Sequence, residues 1–182
     1  GPASQLVRQT TDPKEKEDLQ IINRNAQYLL SLVNQLIDLR KIDTQNLTLN
    51  YSQFNFSKFL NTTTTDFSSL MKERNISFEK IYRLKSDHIY SDKENLHKIL
   101  FNLLSNAIKH TPDKGKITLH ANQFIDKSNK LMQFISVTNS GSIIAPDEID
   151  KIFNRFYRIP EQNKYTNYGQ SSTGIGLHIV KE

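Results

Sequence analysis

At 182 residues, 36% of them hydrophobic, the chain has length for one full domain plus an appendage or for two small domains, and enough apolar content to exclude disorder as the default. Its net charge of +5 would attract phosphates, but 24 basic residues interleave with 19 acidic ones and no Lys/Arg run exceeds two, so a solvated mixed-charge surface is read and no nucleic-acid partner is expected. The lack of cysteine excludes disulfides and thiolate metal sites, the five histidines show no ligand spacing, and no apolar run approaches the ~18 residues of a membrane span.

The first element opens at TDPK, residues 11 to 14, where Asp12 is placed to cap, Pro13 takes the first helical position and Glu15 stands three after the cap. From there Leu19, Ile22, Ala26, Leu29, Val33 and Leu36 alternate spacings of three and four, thickened by Leu30 and Ile37. That heptad seam predicts a long amphipathic helix that pairs with another, residues 1 to 10 being the tail of a preceding arm. Beyond Asp43 the pattern changes. TLNYSQF is strand-like, 56 to 74 reads as a helix, ISFEKIYRL alternates again, and Ser91 with Glu94 forms a capping box for a further helix. GKITLHANQFI and LMQFISVTN predict two strands of a hairpin joined through IDKSNK. Residues 147 to 157 and 174 to 181 carry short helical patterns on either side of a polar stretch, 158 to 173.

At 100° per residue Asn95, Asn102, Asn106 and Lys109 share one narrow stripe of the helix containing NLLSNAIKHT, while Leu96, Leu100, Leu103, Leu104, Ala107 and Ile108 fill most of the rest. A helix apolar around most of its circumference is buried, so its polar stripe faces a partner, a cavity or a ligand. For an isolated asparagine pair a buried hydrogen-bonding bridge is the simpler reading. On their own residues, NSG reads as an ordinary turn and IFNRFYR as an amphipathic turn that buries Ile152, Phe153 and Phe156.

Four clusters nevertheless fall in a fixed order: NLLSNAIKHTP at 102 to 112, VTNSG at 137 to 141, IFNRFYR at 152 to 158 and STGIGLHIV at 172 to 180. Together they resemble the N, G1, F and G2 boxes of the sensor histidine kinases, within the broader gyrase and heat-shock-chaperone type of ATPase. The upstream stretch NRNAQYLLSLVNQLIDLRKID resembles that family's dimerisation and phosphotransfer helices, so the resemblance spans essentially the entire chain. It implies an α+β fold in two parts. Residues 1 to 43 would be a partial helical hairpin, a dimerisation element of a four-helix bundle. Residues 44 to 182 would be an α/β sandwich ATPase domain, a mixed sheet under helices, lacking its last strands.

By this resemblance the cofactors are ATP and Mg2+. Asn106 is the magnesium ligand, Asn102 its support one turn earlier, and Lys109 and His110 reach phosphate oxygens; Asn102, Asn106 and Lys109 form the catalytic set. A neutral amide suits Mg2+, a hard cation that keeps several waters and takes its remaining ligands from phosphates. Asn139, with Gly141 and Ile144, would meet the adenine, accepting a hydrogen bond where the family has an aspartate; as an amide it also brings two donors that need partners. Phe153 and Phe156 tether the segment after the F box, and Arg155 or Arg158 contacts phosphate, Arg158 being the better placed. Ser172, Thr173, Gly174, Gly176 and Leu177 complete the phosphate side, the glycines by close backbone approach and the following helix by its free N–H groups. The chain departs from the family at Asn139, at Ile143 in place of a second glycine, and at Ser171 and Ser172, where glycines are usual.

The family's phosphoacceptor motif, a histidine followed by an acidic residue and an arginine-threonine-proline run, does not occur. His88, His97, His110, His120 and His178 all fall in the ATPase-like part. The acceptor is therefore expected upstream of Gly1 and the closing strand pair beyond Glu182. The reading is the catalytic core of a two-component sensor histidine kinase of a bacterial phosphorelay. It would transfer the γ-phosphoryl of Mg·ATP to a histidine and then to an aspartate of a response-regulator receiver domain. The parent would be a homodimer through the hairpin, and this part would be the cytoplasmic kinase portion of a membrane-anchored sensor, reaching the membrane only through segments outside this chain. Alone, the chain is expected not to autophosphorylate. A degenerate nucleotide-sensing or scaffolding module is the alternative, motivated by Asn139, Ile143 and the two serines. A clamp ATPase of the same fold is a further alternative, against which the heptad helix and IFNRFYR argue.

Overall fold

The structure, a computed structural model, describes residues 12–44, 47–141, 143–159 and 173–182. It divides between Leu47 and Thr48 into two units. In the first, helix α1 (Pro13–Asp43) starts where the capping signal puts it: Asp12 is extended and its side chain accepts from the Lys14 N–H at 2.8 Å. It ends where Thr44 turns both its N–H and its hydroxyl onto the Arg40 carbonyl, at 3.0 and 2.8 Å. The seam residues Ile22, Leu29, Val33 and Leu36 are exposed by 51% to 61%. The arm predicted over residues 1 to 10 lies outside the described residues.

In the second unit, Asn55 closes strand β1 (Tyr51–Asn55) and caps helix α2 (Phe56–Thr65), accepting from the Lys58 N–H at 2.7 Å. The single helix expected over 56 to 74 is in fact two, α2 and α3 (Ser68–Glu73). The threonine run explains the break. Thr62 donates to the Lys58 carbonyl, Thr64 and Thr65 both donate to that of Asn61, and such back-bonding by β-branched residues weakens and bends a helix. Helix α3 ends through Asn75, at φ 53, with Asn75 N–H on the Lys72 carbonyl and Ile76 N–H on that of Met71, the paired bonds of a left-handed helix stop.

Strand β2 (Ser77–Arg83), strand β3 (His88–Asp92), helix α4 (Lys93–His110), strands β4 (Lys116–Ile125) and β5 (Leu131–Asn139), two 3-10 turns (Pro146–Glu148 and Lys151–Phe153) and helix α5 (Gly176–Lys181) follow. Strand β3 is one the sequence reading passes over. It pairs antiparallel with β1, apart from a mixed sheet in which β2 runs parallel to β4 and β4 antiparallel to β5. Along β4 the buried positions alternate as Ile117, Leu119, Ala121 and Gln123, so one sheet face is turned to the core. Phe56, Phe59 and Leu60 of α2, Met71 of α3, and Leu100, Leu104, Ala107 and Ile108 of α4 complete that core. Helices over one face of a mixed sheet make the expected two-layer sandwich.

The cap of α4 is Asp92 rather than the predicted Ser91. The Asp92 carboxylate accepts from the Asn95 N–H and from the Asn95 side-chain amide, both at 2.9 Å, and from the Asn50 N–H at 2.8 Å. A charged acceptor suits the positive end of a helix dipole better than a hydroxyl, and Ser91 is held in the β-ladder opposite Ser52. Those bonds hold the Asp92 carboxyl below its usual range, against the opposing effect of burial. They also occupy Asn95, the first asparagine of the predicted stripe.

Candidate functional site

Helix α4 presents the rest of the stripe as read. Asn102, Asn106, Lys109 and His110 are half-buried while Leu100, Leu104, Ala107 and Ile108 sit in the core. Among the described residues no hydrogen bond engages the Asn106 amide. The G2 box packs onto this helix: a Cβ added to Gly176 would lie 2.9 Å from Asn102 Oδ1, so the absent side chain is what lets the start of α5 rest on that asparagine. The G1 box packs at the helix's other end. Gly141, at φ 134, stands where a Cβ would collide with the His110 carbonyl oxygen and come within 2.9 Å of Pro112 Cδ. Beside it the Asn139 amide finds partners for its two donors in the carbonyls of His110, at 3.5 Å, and Ser140, at 3.4 Å. Its oxygen is thereby left to accept.

The F box separates its two arginines. Arg155 Nε donates to His178 Nε2 at 2.9 Å, and His178 Nδ1 meets the Phe153 carbonyl at 3.1 Å, so Arg155 braces the turn against α5. Arg158 instead lies beside Lys109, near enough for its charge to act on the lysine. The predicted burial of Phe156 does not hold. It is 63% exposed and adopts a left-handed backbone, φ 62, because its N–H reaches the Gly174 carbonyl at 2.9 Å; Ile152 and Phe153 are half-buried. Tyr157 donates to Glu148, which also pairs with Lys151, a brace with no counterpart in the sequence reading. Thr173 accepts from the Ile175 N–H through its hydroxyl at 3.1 Å, Leu177 is half-buried in the first turn of α5, and Ile144 is 39% exposed. Ser171 and Ser172 lie outside the described residues.

Electrostatically the end of α4 is cationic. Burial, and next the charge of Arg158, hold the Lys109 ammonium below the ordinary lysine value; burial, and next Lys109, push His110 below its own. Each group resists its proton for want of a counter-charge, which a bound anion supplies. Anion binding should therefore raise the Lys109 pKa, so nucleotide affinity falls as pH climbs toward the ordinary value of 10.5 and binding takes up protons in that range. Calorimetry at alkaline pH in two buffers of different ionisation heat reads this directly; a binding heat that does not depend on buffer would contradict it. As to the metal, no group of three His, Cys, Asp or Glu side chains forms a cage among the described residues. The donor at hand is the Asn106 amide, and it fits an ion held chiefly by phosphates and water.

Residues 91–182 match the family described as Histidine kinase-, DNA gyrase B-, and HSP90-like ATPase. Over its whole length the chain is 35% identical to Histidine kinase P4 of Formosa agariphila. It spans between 12% and 16% of the first three curated relatives it matches. Among solved structures it resembles full-length ShkA in complex with AMPPNP, with a TM-score of 0.74 at 22% identity over 98% of this chain and 35% of that one. It also resembles histidine kinase ThkA in complex with response regulator protein TrrA, with a TM-score of 0.62 at 24% identity over 82% of this chain and 42% of that one. Four boxes gathered around one helix, on this fold and with this match, place the chain in the histidine kinase-, gyrase- and HSP90-like ATPase family, as the catalytic ATPase domain of a sensor histidine kinase.

Proposed function

We propose that this chain binds Mg·ATP along α4 and that its parent passes the γ-phosphoryl group to a histidine and then to a receiver-domain aspartate. The observation that carries the reading is the half-buried Lys109, its pKa lowered beside Arg158, next to an uncommitted Asn106 amide. Lys109, His110 and Arg158 would hold the triphosphate, Asn106 would ligate Mg2+ with Asn102 behind it, and Asn139 would accept from the adenine amino group. The ion, when bound, neutralises charge on the phosphate oxygens; the chain's own contribution is positioning and further charge compensation. Arg155, committed to His178, holds the turn that carries Arg158 rather than touching phosphate.

The exposed seam of α1 supports pairing of two copies through that helix, and the ThkA complex with a response regulator supports a receiver domain as the second partner. No helix among the described residues is long and apolar enough to cross a membrane, so any anchor of the parent would lie elsewhere. No described histidine stands in phosphoacceptor context, and the chain by itself should take no label from γ-labelled ATP. The test is calorimetric titration of the chain with Mg·ATP, together with labelling of the full-length parent. Binding with an acid-labile phosphoprotein in the parent is expected. Binding without transfer in the parent would select the nucleotide-sensing alternative, and no binding at millimolar ATP would end the reading.

A further inference from the structure

We propose that Arg74 is a positioning residue of the nucleotide site, acting through the end of α4; the inference deepens the Mg·ATP reading and rests on it. In sequence Arg74 is one charge in the run MKERN, five residues in which an exposed cation would be unremarkable. In the fold it is only 5% exposed. The stop at Asn75 aims its side chain under the neighbouring helix. There Nη1 donates to the Ile108 carbonyl at 2.7 Å, Nη2 to the Thr111 carbonyl at 2.6 Å, and Nε to Asp113 Oδ1 at 2.8 Å. The Arg74 carbonyl accepts from the Lys114 N–H at 3.0 Å, and Ser77 N–H reaches the Gly115 carbonyl at 2.8 Å, so the loop after α4 is sewn to the end of α3 from both sides.

The last carbonyls of a helix have no donor within it, and a cation there also meets the negative end of the dipole. An apolar side chain would fill the same space without the desolvation of a charge. What a guanidinium adds is a rigid fork that fixes several acceptors in one plane. The acceptors it fixes bracket the site. Ile108 and Thr111 flank Lys109 and His110, the His110 carbonyl receives the Asn139 amide, and Gly141 is seated on His110 and Pro112. Arg74 is not itself one of the predicted ligand contacts, yet sets the backbone that aims two of them and supports a third.

The experiment compares the chain with its Arg74→Met and Arg74→Lys variants by thermal unfolding, hydrogen exchange and Mg·ATP calorimetry. Arg74→Lys, which keeps the charge and loses the fork, is expected to melt cooperatively, to exchange faster at 109–116 than elsewhere, and to bind roughly tenfold more weakly, the loss expected when charge-assisted hydrogen bonds go unmade. Arg74→Met should lose more affinity. A folded Arg74→Lys chain with unchanged affinity and unchanged exchange at 109–116 overturns the proposal, whether or not Arg74→Met folds. Failure of the unsubstituted chain to bind Mg·ATP is a separate outcome. It removes the nucleotide reading, and unchanged exchange in Arg74→Lys would then remove the positioning role independently.

Discussion

Asn106→Ala should abolish the magnesium-dependent part of nucleotide binding, weakening Mg·ATP by about a hundredfold while leaving the fold intact, since metal sites lose on the order of 10- to 100-fold even from supporting contacts. Both halves of that expectation come from the same geometry. The amide makes no hydrogen bond among the described residues, so its removal strands no partner, and a change of this kind shifts stability by about 0.5 kcal/mol or less. What is lost is a neutral oxygen donor for a hard cation, one that adds no negative charge beside a triphosphate; Asn102, the amide one turn earlier, lies under Gly176. The measurement is affinity for ATP with and without excess magnesium. In the unsubstituted chain, chelating the metal should weaken binding; in Asn106→Ala the two titrations should coincide. A variant that keeps the full magnesium effect would take the ligand role away from Asn106.

Gly141→Ala should be the most damaging single change in the site, through the fold rather than through the ligand. At φ 134 an alanine is in a conformation L side chains rarely adopt, which by itself costs about 1–3 kcal/mol. The added Cβ would also drive into the His110 carbonyl oxygen, a backbone atom that Asn139 already holds, and approach Pro112 Cδ at 2.9 Å. Neither neighbour is the free end of a flexible side chain. A loss of about 3 kcal/mol or more, seen as a fall in Tm of roughly 10 °C, is expected. Nucleotide affinity should fall as well, because the turn cannot stay seated on α4. An unchanged melting curve would mean that the turn can move off the helix end at no cost.

The parts legible in the sequence were those decided by near neighbours. TDPK specified the start of α1 because cap, proline and first turn lie within a few residues, and KITLHANQFI specified β4 because alternation is a property of the strand itself. The asparagine stripe was legible for the same reason, except at Asn95, where a carboxylate three residues earlier claimed the amide. Illegible were features settled by distant partners. Arg155 and Arg158 are chemically identical and three residues apart; only the approach of His178 to one and Lys109 to the other separates them. Arg74 was passed over because its acceptors, the Ile108 and Thr111 carbonyls and the Asp113 carboxylate, lie more than thirty residues away in the chain. The helix over 56 to 74 failed on a subtler count. A helix does form at its start, and the hydroxyls of Thr62, Thr64 and Thr65, turned onto carbonyls of their own helix, end it early.

The contact between Gly176 and Asn102 has a kinetic side. The two residues belong to elements far apart in the chain, with both long strands of the mixed sheet between them, and contacts of that separation close late because the intervening segment must be ordered first. Helix α4 can reach its place with the core, while the Asn102 side of the site is covered only when α5 docks. A nucleotide that needs both faces recognises the completed state alone, and by mass action it holds α5 down in proportion to its concentration. On the Mg·ATP reading, nucleotide would then govern how long α5 stays docked, so that the ligand of the site also guards the assembly of that site.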